Sequence, residues 1–207
     1  MQGFLSTMTN VEKDKPIKVF RRHGGMLRAA QAIGLGIHPR ELYRLRDAGE
    51  ILQLSRGVYR LAEMDETGDS DLGVVAARVP GGVVCLISAL SFHGITTEIP
   101  HEVYLAIPRR KESPRIDFPP TRAFHFSDET ISAGVETHKV GNVAVKIFSP
   151  EKTVADCFKF RNRIGLDVAL EGLKMCLAKN GSRAGILEYA RICRVERIMR
   201  PYLEAID

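Results

Sequence analysis

Helical and strand-like hydrophobic patterns alternate along this chain of 207 residues, which predicts an α/β protein. Short apolar segments at helical spacing come first and end in two short strands joined by Arg56-Gly57. Alternating strands follow between residues 102 and 148, and helical patterns fill the rest of the chain. These patterns predict an N-terminal winged helix-turn-helix followed by a mixed α/β domain with a helical C-terminal part.

We expect three segments. Residues 1–16 are polar and have no hydrophobic pattern, which is typical of a flexible N-terminus. Residues 17–63 are predicted to form the winged helix-turn-helix. The stretch from Met64 to Ser70 is acidic and rich in turn-forming residues, so we place the domain boundary there. Residues 70–207 then form the second domain.

In the first domain, glycines and a proline divide the chain into short elements. Gly24-Gly25 and Gly34-Leu35-Gly36 end two helices, and His38-Pro39 starts a third, because proline fits the first position of a helix. The predicted elements are helices over Ile17–His23, Met26–Ile33 and Pro39–Ala48, and strands over Ile51–Leu54 and Gly57–Leu61.

In the second domain, Gly141-Asn142 is a good hairpin turn between two strands. Ser149-Pro150-Glu151 supplies an N-cap hydroxyl, a first-turn proline and an early acid for a helix. The predicted elements are helices over Leu72–Val79, Leu86–Gly94, Pro150–Arg163 and Leu166–Ala178, two further C-terminal helices, an extended loop over Arg109–Pro120, and strands over Val83–Cys85, Glu102–Ile107, Thr121–Phe126, Val135–Val140 and Val143–Phe148.

The excess positive charge is confined to the first domain. Residues 17–60 contain nine Lys or Arg against three Asp or Glu, a net charge of +6, whereas residues 61–207 contain 19 basic and 20 acidic groups. Such an asymmetry favours a polyanionic partner for the N-terminal segment.

The helix Pro39–Ala48 has the pattern of a DNA-reading helix. Leu42 and Leu45 share one side, which we expect to face inward. Arg40, Tyr43, Arg44 and Asp47 point the other way, and Arg46 lies on the flank. Arginine can grip a guanine edge or a phosphate, and Asp47 is expected to pair with Arg44. The candidate DNA-binding residues are Arg40, Tyr43, Arg44 and Arg46 of this helix, Arg56 and Arg60 of the hairpin, and Arg28.

A second basic cluster lies in the predicted loop over Arg109–Pro120. Arg109-Arg110-Lys111 and Arg115 fit either a solvated charge run, or an additional contact with DNA or an acidic partner. Phe118, Phe124 and Phe126 nearby are expected to be core residues rather than base-stacking platforms.

No catalytic residues, metal ligands or cofactors are predicted. His93 with Ser88 and Ser91 lacks the spacing of a nucleophile and base on one helix, and Glu151, Lys152 and Asp156 are best explained as a capped, salt-bridged helix start. The alternative is a metal-dependent nuclease, tethered to DNA by the winged helix, in which these carboxylates hold Mg²⁺. A third hypothesis is a scaffold that uses the winged fold for protein contact.

The four cysteines are scattered without a CxxC pair, which favours buried thiols over zinc ligands or disulfides.

No apolar run is long enough to cross a membrane, and the first residues lack the apolar region of a secretory signal. The sequence therefore predicts a cytoplasmic protein with no membrane partner.

Several motifs, taken in order, resemble the AbiEi-type antitoxins. Those in the first domain are Leu42-Tyr43-Arg44-Leu45-Arg46, Gly49-Glu50-Ile51 and Ser55-Arg56-Gly57-Val58-Tyr59; those in the second are Ser88-Ala89-Leu90, His93-Gly94-Ile95-Thr96, the strand Val103–Pro108 and the run Phe148–Cys157. The resemblance extends over about residues 17–200.

The resemblance implies a non-enzymatic transcriptional repressor that is the antitoxin of a type IV, phage abortive-infection toxin–antitoxin system. It implies that the N-terminal winged helix binds double-stranded DNA at inverted repeats in the protein's own promoter, with self-association on DNA. A nucleotidyltransferase toxin is the functional partner that it implies.

Overall fold

A computed structural model describes residues 9–23, 25–63, 70–116, 118–141 and 143–206. It contains both helices and sheets, so the α/β class is confirmed. The elements are α1 Thr9–Arg22, β1 Met26–Arg28, α2 Ala29–Gly34, α3 Pro39–Asp47, β2 Ile51–Ser55, β3 Val58–Leu61, α4 Ser70–Arg78, β4 Val83–Val84, α5 Leu86–Phe92, β5 Val103–Pro108, β6 Thr121–Phe126, α6 Asp128–Ser132, β7 Val135–Val140, β8 Val143–Phe148, α7 Pro150–Lys159, α8 Arg161–Ile164, α9 Leu166–Ala178, α10 Arg183–Ile192 and α11 Glu196–Glu204.

The N-terminal part combines α1, α2 and α3 with an antiparallel sheet in the order β1-β3-β2. The predicted hairpin is confirmed, because β2 and β3 pair with Leu52 opposite Arg60. One apolar cluster holds the helices against the sheet; its buried members are Phe20, Leu27, Ala32, Ile37, Leu42, Leu45, Ile51, Tyr59 and Leu61.

Two predictions for this part are wrong. The first helix begins at Thr9 rather than Ile17, since polar residues can form a helix without a hydrophobic pattern; residues 1–8 lie outside the described residues. The predicted helix Met26–Ile33 divides into a strand, β1, and a shorter helix, α2. Its first residues pair with β3, with Leu27 opposite Tyr59, and this distant partner overrides the local helical spacing.

The second sheet has five strands in the order β6-β5-β4-β8-β7. β5 runs parallel to β6 and β4 parallel to β8, and the other two pairs are antiparallel. The β7–β8 hairpin is confirmed by the pairing of Val140 with Val143 across Gly141, which has φ +58°; Asn142 lies outside the described residues.

The helices cover this sheet on two sides. A large cluster includes Leu90 of α5, Phe158 of α7 and Leu173 of α9, and a smaller one includes Val75 of α4. The predicted helix Pro150–Arg163 is interrupted at Phe160, so that α7 and α8 are separate. No helix in the described part of the chain combines the length and apolar character that a membrane span needs.

Helix α4 connects the two sheets. Val74 of α4 packs with Met26 of β1 and Val58 of β3, and Val143 of β8 lies against the same cluster. The small sheet and the large one therefore share an apolar contact. Residues 64–69, which contain most of the predicted domain boundary, lie outside the described residues.

Candidate nucleic-acid interface

Helix α3 is fixed by its cap and by two leucines. The Nδ1 atom of His38 accepts a hydrogen bond from the backbone N–H of Arg40 at 3.2 Å, and Pro39 occupies the first turn. Leu42 and Leu45 are 2% and 0% exposed, as predicted. Because these leucines face the core, Arg40 lies on the solvent side of α3, and so does Tyr43, which is 52% exposed.

Arg44 is held by Glu41 rather than by Asp47. Arg44 Nε and Nη2 donate to the two oxygens of Glu41 at 2.9 and 2.6 Å. The hydrogen bond with Arg44 lowers the pKa of Glu41 and raises that of Arg44. The predicted Asp47–Arg44 pair is thus wrong: Glu41, three residues before Arg44, is the partner. The fork of Arg44 is preoriented on α3.

Arg46 connects α3 to the sheet. It pairs with Asp47 at 2.8 Å, and its Nη1 lies 3.4 Å from Gln53 Oε1 of β2. Its guanidinium carbon lies 5.2 Å from the centre of the Tyr43 ring. The hydrogen bond with Asp47 raises the pKa of Arg46. One polar surface therefore runs from α3 onto β2.

The tip of the β2–β3 hairpin presents an exposed arginine. Arg56 is exposed, and Gly57 follows it with φ +73°, a conformation that suits glycine. The Gly57 carbonyl accepts a hydrogen bond from the N–H of Ala29 at 2.9 Å, and the Arg56 carbonyl accepts one from Nη1 of Arg78 at the end of α4. The turn is thus anchored from both sides while its side chain stays in solvent.

Arg60, a predicted DNA contact, does not lie on this exposed surface. Arg60 is 3% exposed and belongs to β3, the central strand, whose four residues are all buried. A side chain in that position cannot reach a phosphate without leaving the core. The prediction failed because the strand pattern suggested one solvent face, whereas neighbouring elements cover both.

Arg28 lies at the junction between the two sheets rather than on the outer face of α3. It ends β1, opposite Val58, and it is partly buried. Its Nε is buried without a hydrogen-bond partner among the described residues. Burial, and then the charge of Arg78, lower the pKa of Arg28. The guanidinium groups of Arg28 and Arg78 therefore lie close to each other beside the hairpin tip.

We predict that Arg78→Ala will loosen the hairpin tip, because it removes the donor to the Arg56 carbonyl. Hydrogen exchange measured by mass spectrometry should become several-fold faster in peptides covering residues 51–61. The exchange rate of peptides covering residues 166–204 should not change. Equal exchange in the variant and the native protein over residues 51–61 would contradict this role.

The loop over residues 109–120 has no regular structure in its described residues, as predicted, and Asp117 lies outside them. Arg109, Arg110, Lys111 and Arg115 are all exposed. The Arg115 carbonyl lies 3.5 Å from Arg78 Nη2, so this loop approaches the same junction. Phe124 and Phe126 are core residues as predicted, but Phe118 is 54% exposed, and that prediction is wrong.

Of the three residues of the nuclease alternative, Lys152 and Asp156 are buried and Glu151 is partly exposed. Lys152 and Asp156 are both 0% exposed and pair with each other within α7, and the Asp156 Oδ1 atom also accepts a hydrogen bond from the Cys193 thiol at 3.2 Å. Glu151 accepts the backbone N–H of Ser182 at 3.2 Å. The predicted salt bridge is confirmed, but it lies in the core, where it cannot bind Mg²⁺ from solvent.

Ser88 and His93 are also engaged elsewhere. Ser88 Oγ accepts the N–H of Tyr104 at 3.0 Å and donates to the Glu102 carbonyl at 3.3 Å. His93 Nε2 lies 2.8 Å from the Phe148 carbonyl. A ring nitrogen of His93 nevertheless comes together with Glu136 and His138, their ligand atoms lying within 4.8 Å of one another. Sequence reasoning missed this group, since only Glu136-x-His138 is local.

All four cysteines are free and buried, as predicted. Burial raises the pKa of Cys176 to about 11 and that of Cys193 to about 12. It raises the pKa of Cys85 and Cys157 well above the usual range. These thiols are therefore poor nucleophiles and poor metal ligands at neutral pH.

Comparison with known proteins finds a family match in the N-terminal part of the chain. Residues 14–62 match the family described as transcriptional regulator, AbiEi antitoxin. The crystal structure of the RV2827C protein from Mycobacterium tuberculosis is similar, with a TM-score of 0.53 and 13% identity over 95% of this chain and 82% of that chain. At that identity the likeness concerns the fold alone. No curated protein matches the chain. Residues 14–62 therefore match the family of AbiEi antitoxin transcriptional regulators, which is the family that the sequence motifs resemble.

Proposed function

We propose that this chain is a DNA-binding transcriptional repressor and the antitoxin of a type IV, abortive-infection toxin–antitoxin system. The observation that carries the proposal is the family match over 14–62, which falls on the segment that holds the excess positive charge. A regulator of transcription must find duplex DNA, and a cationic surface supplies the sequence-independent part of that affinity.

The proposed DNA-binding unit is a winged helix-turn-helix over residues 17–63. The order helix, strand, helix, helix, strand, strand supports it, with α3 as the recognition helix and the β2–β3 hairpin as the wing. Gly36, with φ +89°, lies in the turn between α2 and α3. Residues 70–207 form the second domain in this proposal.

Within this unit we assign the outer face of α3 to the major groove. Arg40 and Tyr43 are exposed, which suits them to phosphate and sugar contacts. Arg44 and Arg46 keep acidic partners in the free protein, and their forks are held in place for base edges. Arg56 at the hairpin tip would follow the backbone or the minor groove.

The other parts of the proposal concern partners. The operator consists of inverted repeats in the protein's own promoter, which neighbouring copies occupy cooperatively. The second domain positions these copies or acts on the nucleotidyltransferase toxin, and it has no enzymatic role. We place the protein in the cytoplasm, where both promoter and toxin are found.

The direct test is fluorescence anisotropy with the full-length protein and a labelled duplex of its native upstream region. Binding should be tighter than to a scrambled duplex, and the logarithm of the affinity should fall linearly with the logarithm of salt concentration. Equal affinity for both duplexes would contradict the proposal that the protein recognises its own promoter. Absence of salt-sensitive binding to either would favour the scaffold hypothesis.

We predict that Arg56→Ala weakens binding to native and scrambled duplexes by the same factor. A phosphate contact carries no sequence information, and its loss should reduce the slope of the salt dependence by about one. Arg197→Ala, at an exposed arginine of α11, is the matched control and should leave both affinities unchanged. A loss confined to the native duplex would show that Arg56 reads bases instead.

A further inference from the structure

We propose a binding site for a divalent transition-metal ion, Zn²⁺ by its donor chemistry, formed by His93, Glu136 and His138. One nitrogen from each imidazole and one carboxylate oxygen lie within 4.8 Å of one another. Two imidazoles and a carboxylate are donors that zinc commonly takes, with one position left for water. This site is independent of the proposed DNA surface.

The three side chains come from rigid elements. Glu136 and His138 are two residues apart on β7, so both lie on one face of the strand. β7 forms an edge of the five-stranded sheet, next to β8. His93 is the C-cap of α5, where its N–H bonds to the carbonyl of Ala89. Helix and edge strand thus bring three donors together from distant parts of the sequence.

One ring nitrogen of His93 is held by a backbone carbonyl. This nitrogen, Nε2, lies 2.8 Å from the carbonyl oxygen of Phe148. Because a carbonyl can only accept, Nε2 carries the hydrogen, and Nδ1 keeps the lone pair that a metal needs. A backbone carbonyl that fixes the other nitrogen of a ligating histidine is a recurring support of metal sites. The His93 ring also packs against the Phe92 ring in a T-shaped arrangement, with the two ring centroids 5.2 Å apart.

The other two donors are already in contact. Nε2 of His138 lies 2.9 Å from Oε2 of Glu136, and the His138 ring packs edge-on against Phe92 at 4.9 Å. Their side chains are 31% and 44% exposed, so an ion can enter from solvent and keep a water ligand. Donor atoms around a tetrahedral zinc lie about 3.3 Å apart, so a bound ion would draw together any pair of these donors that is farther apart than that. A bound ion would tie the edge strand β7 to α5.

Cobalt spectroscopy tests this site with the full-length, tag-free protein after treatment with a chelator. Titration with Co²⁺ should saturate at one ion per chain, with visible d–d bands and without thiolate charge-transfer bands. Zn²⁺ should displace the Co²⁺. His138→Gln and Glu136→Gln should each weaken binding about tenfold or more. His125→Gln, at an exposed histidine bonded to the Lys111 carbonyl, is the matched control and should bind as the native protein does.

His138→Gln and Glu136→Gln carry the test, because both side chains are partly exposed and neither belongs to an apolar core cluster. His93→Gln is less suitable, since the loss of its bond to the Phe148 carbonyl can disturb the fold. Failure to bind one Co²⁺ per chain overturns the proposal. So do thiolate charge-transfer bands, or equal binding by the native protein and both glutamine variants.

Discussion

Replacing Lys152 by methionine is expected to lower the free energy of unfolding by about 3–5 kcal/mol. The Lys152 ammonium pairs with Asp156 one turn later on α7, and both side chains are fully buried. The Lys152 Nζ atom also lies 4.1 Å from the centre of the Phe148 ring and 5.2 Å from that of Phe126. Without the ammonium, the Cys193 thiol would be the remaining side-chain hydrogen-bond donor to Asp156 among the described residues, in surroundings where burial already raises the pKa of Asp156.

Urea denaturation at neutral pH measures this effect as a lower midpoint. Lys174→Met, at an exposed lysine of α9, is the matched control and should change the stability by no more than about 0.5 kcal/mol. The double variant Lys152→Met/Asp156→Leu should recover part of the loss, because it removes the orphaned carboxylate. If Lys152→Met alone unfolded at the same urea midpoint as the native protein, the Lys152–Asp156 pair would contribute nothing to the stability.

Arg44→Ala is expected to weaken binding to the native promoter duplex by about 1–3 kcal/mol, or about 5- to 150-fold, and to reduce its preference over a scrambled duplex. The reason is the geometry of α3: Glu41 holds one edge of the partly exposed Arg44 guanidinium through Nε and Nη2, and Nη1 lies outside this pair. A planar group fixed in this way can read a guanine edge with little further loss of entropy.

Competition anisotropy with both duplexes measures this preference. Glu41→Gln is a second probe: it removes a negative charge beside DNA, so it should strengthen binding to both duplexes while the preference between them falls. Thermal unfolding of Arg44→Ala should remain nearly native, because a partly exposed pair contributes at most about 1 kcal/mol. A uniform loss of affinity for both duplexes would identify Arg44 as a phosphate contact.

Local signals in the sequence were sufficient for many elements. The hydroxyl of Ser149 caps α7 by accepting the N–H of Lys152 at 3.3 Å, and His38-Pro39 starts α3, as predicted. The turn at Gly141 gives the predicted hairpin. These features depend on residues a few positions apart, so the sequence alone specifies them.

Partners from distant segments account for the errors. The apolar spacing of Met26-Leu27-Arg28 is compatible with a helix, yet this segment forms a strand because it pairs with β3. Arg60 sits in a strand that looks half exposed, yet both of its faces are covered. The sequence predicts the acid–lysine pair of α7 at a separation of four residues, but the burial of this pair depends on Phe126, Phe148 and Cys193, which lie on other elements.

Some features of the candidate sites likewise follow from local sequence, and others depend on the tertiary structure. Sequence alone determined the cationic N-terminal segment, the helix that carries Arg40, Tyr43, Arg44 and Arg46, and the Arg56-Gly57 turn, since charge and short-range pattern are written locally. Tertiary structure decided which arginines stay accessible, which acid holds Arg44, and the meeting of His93 with Glu136 and His138. Burial and proximity depend on residues far apart in the chain, and the fold is what brings those residues together.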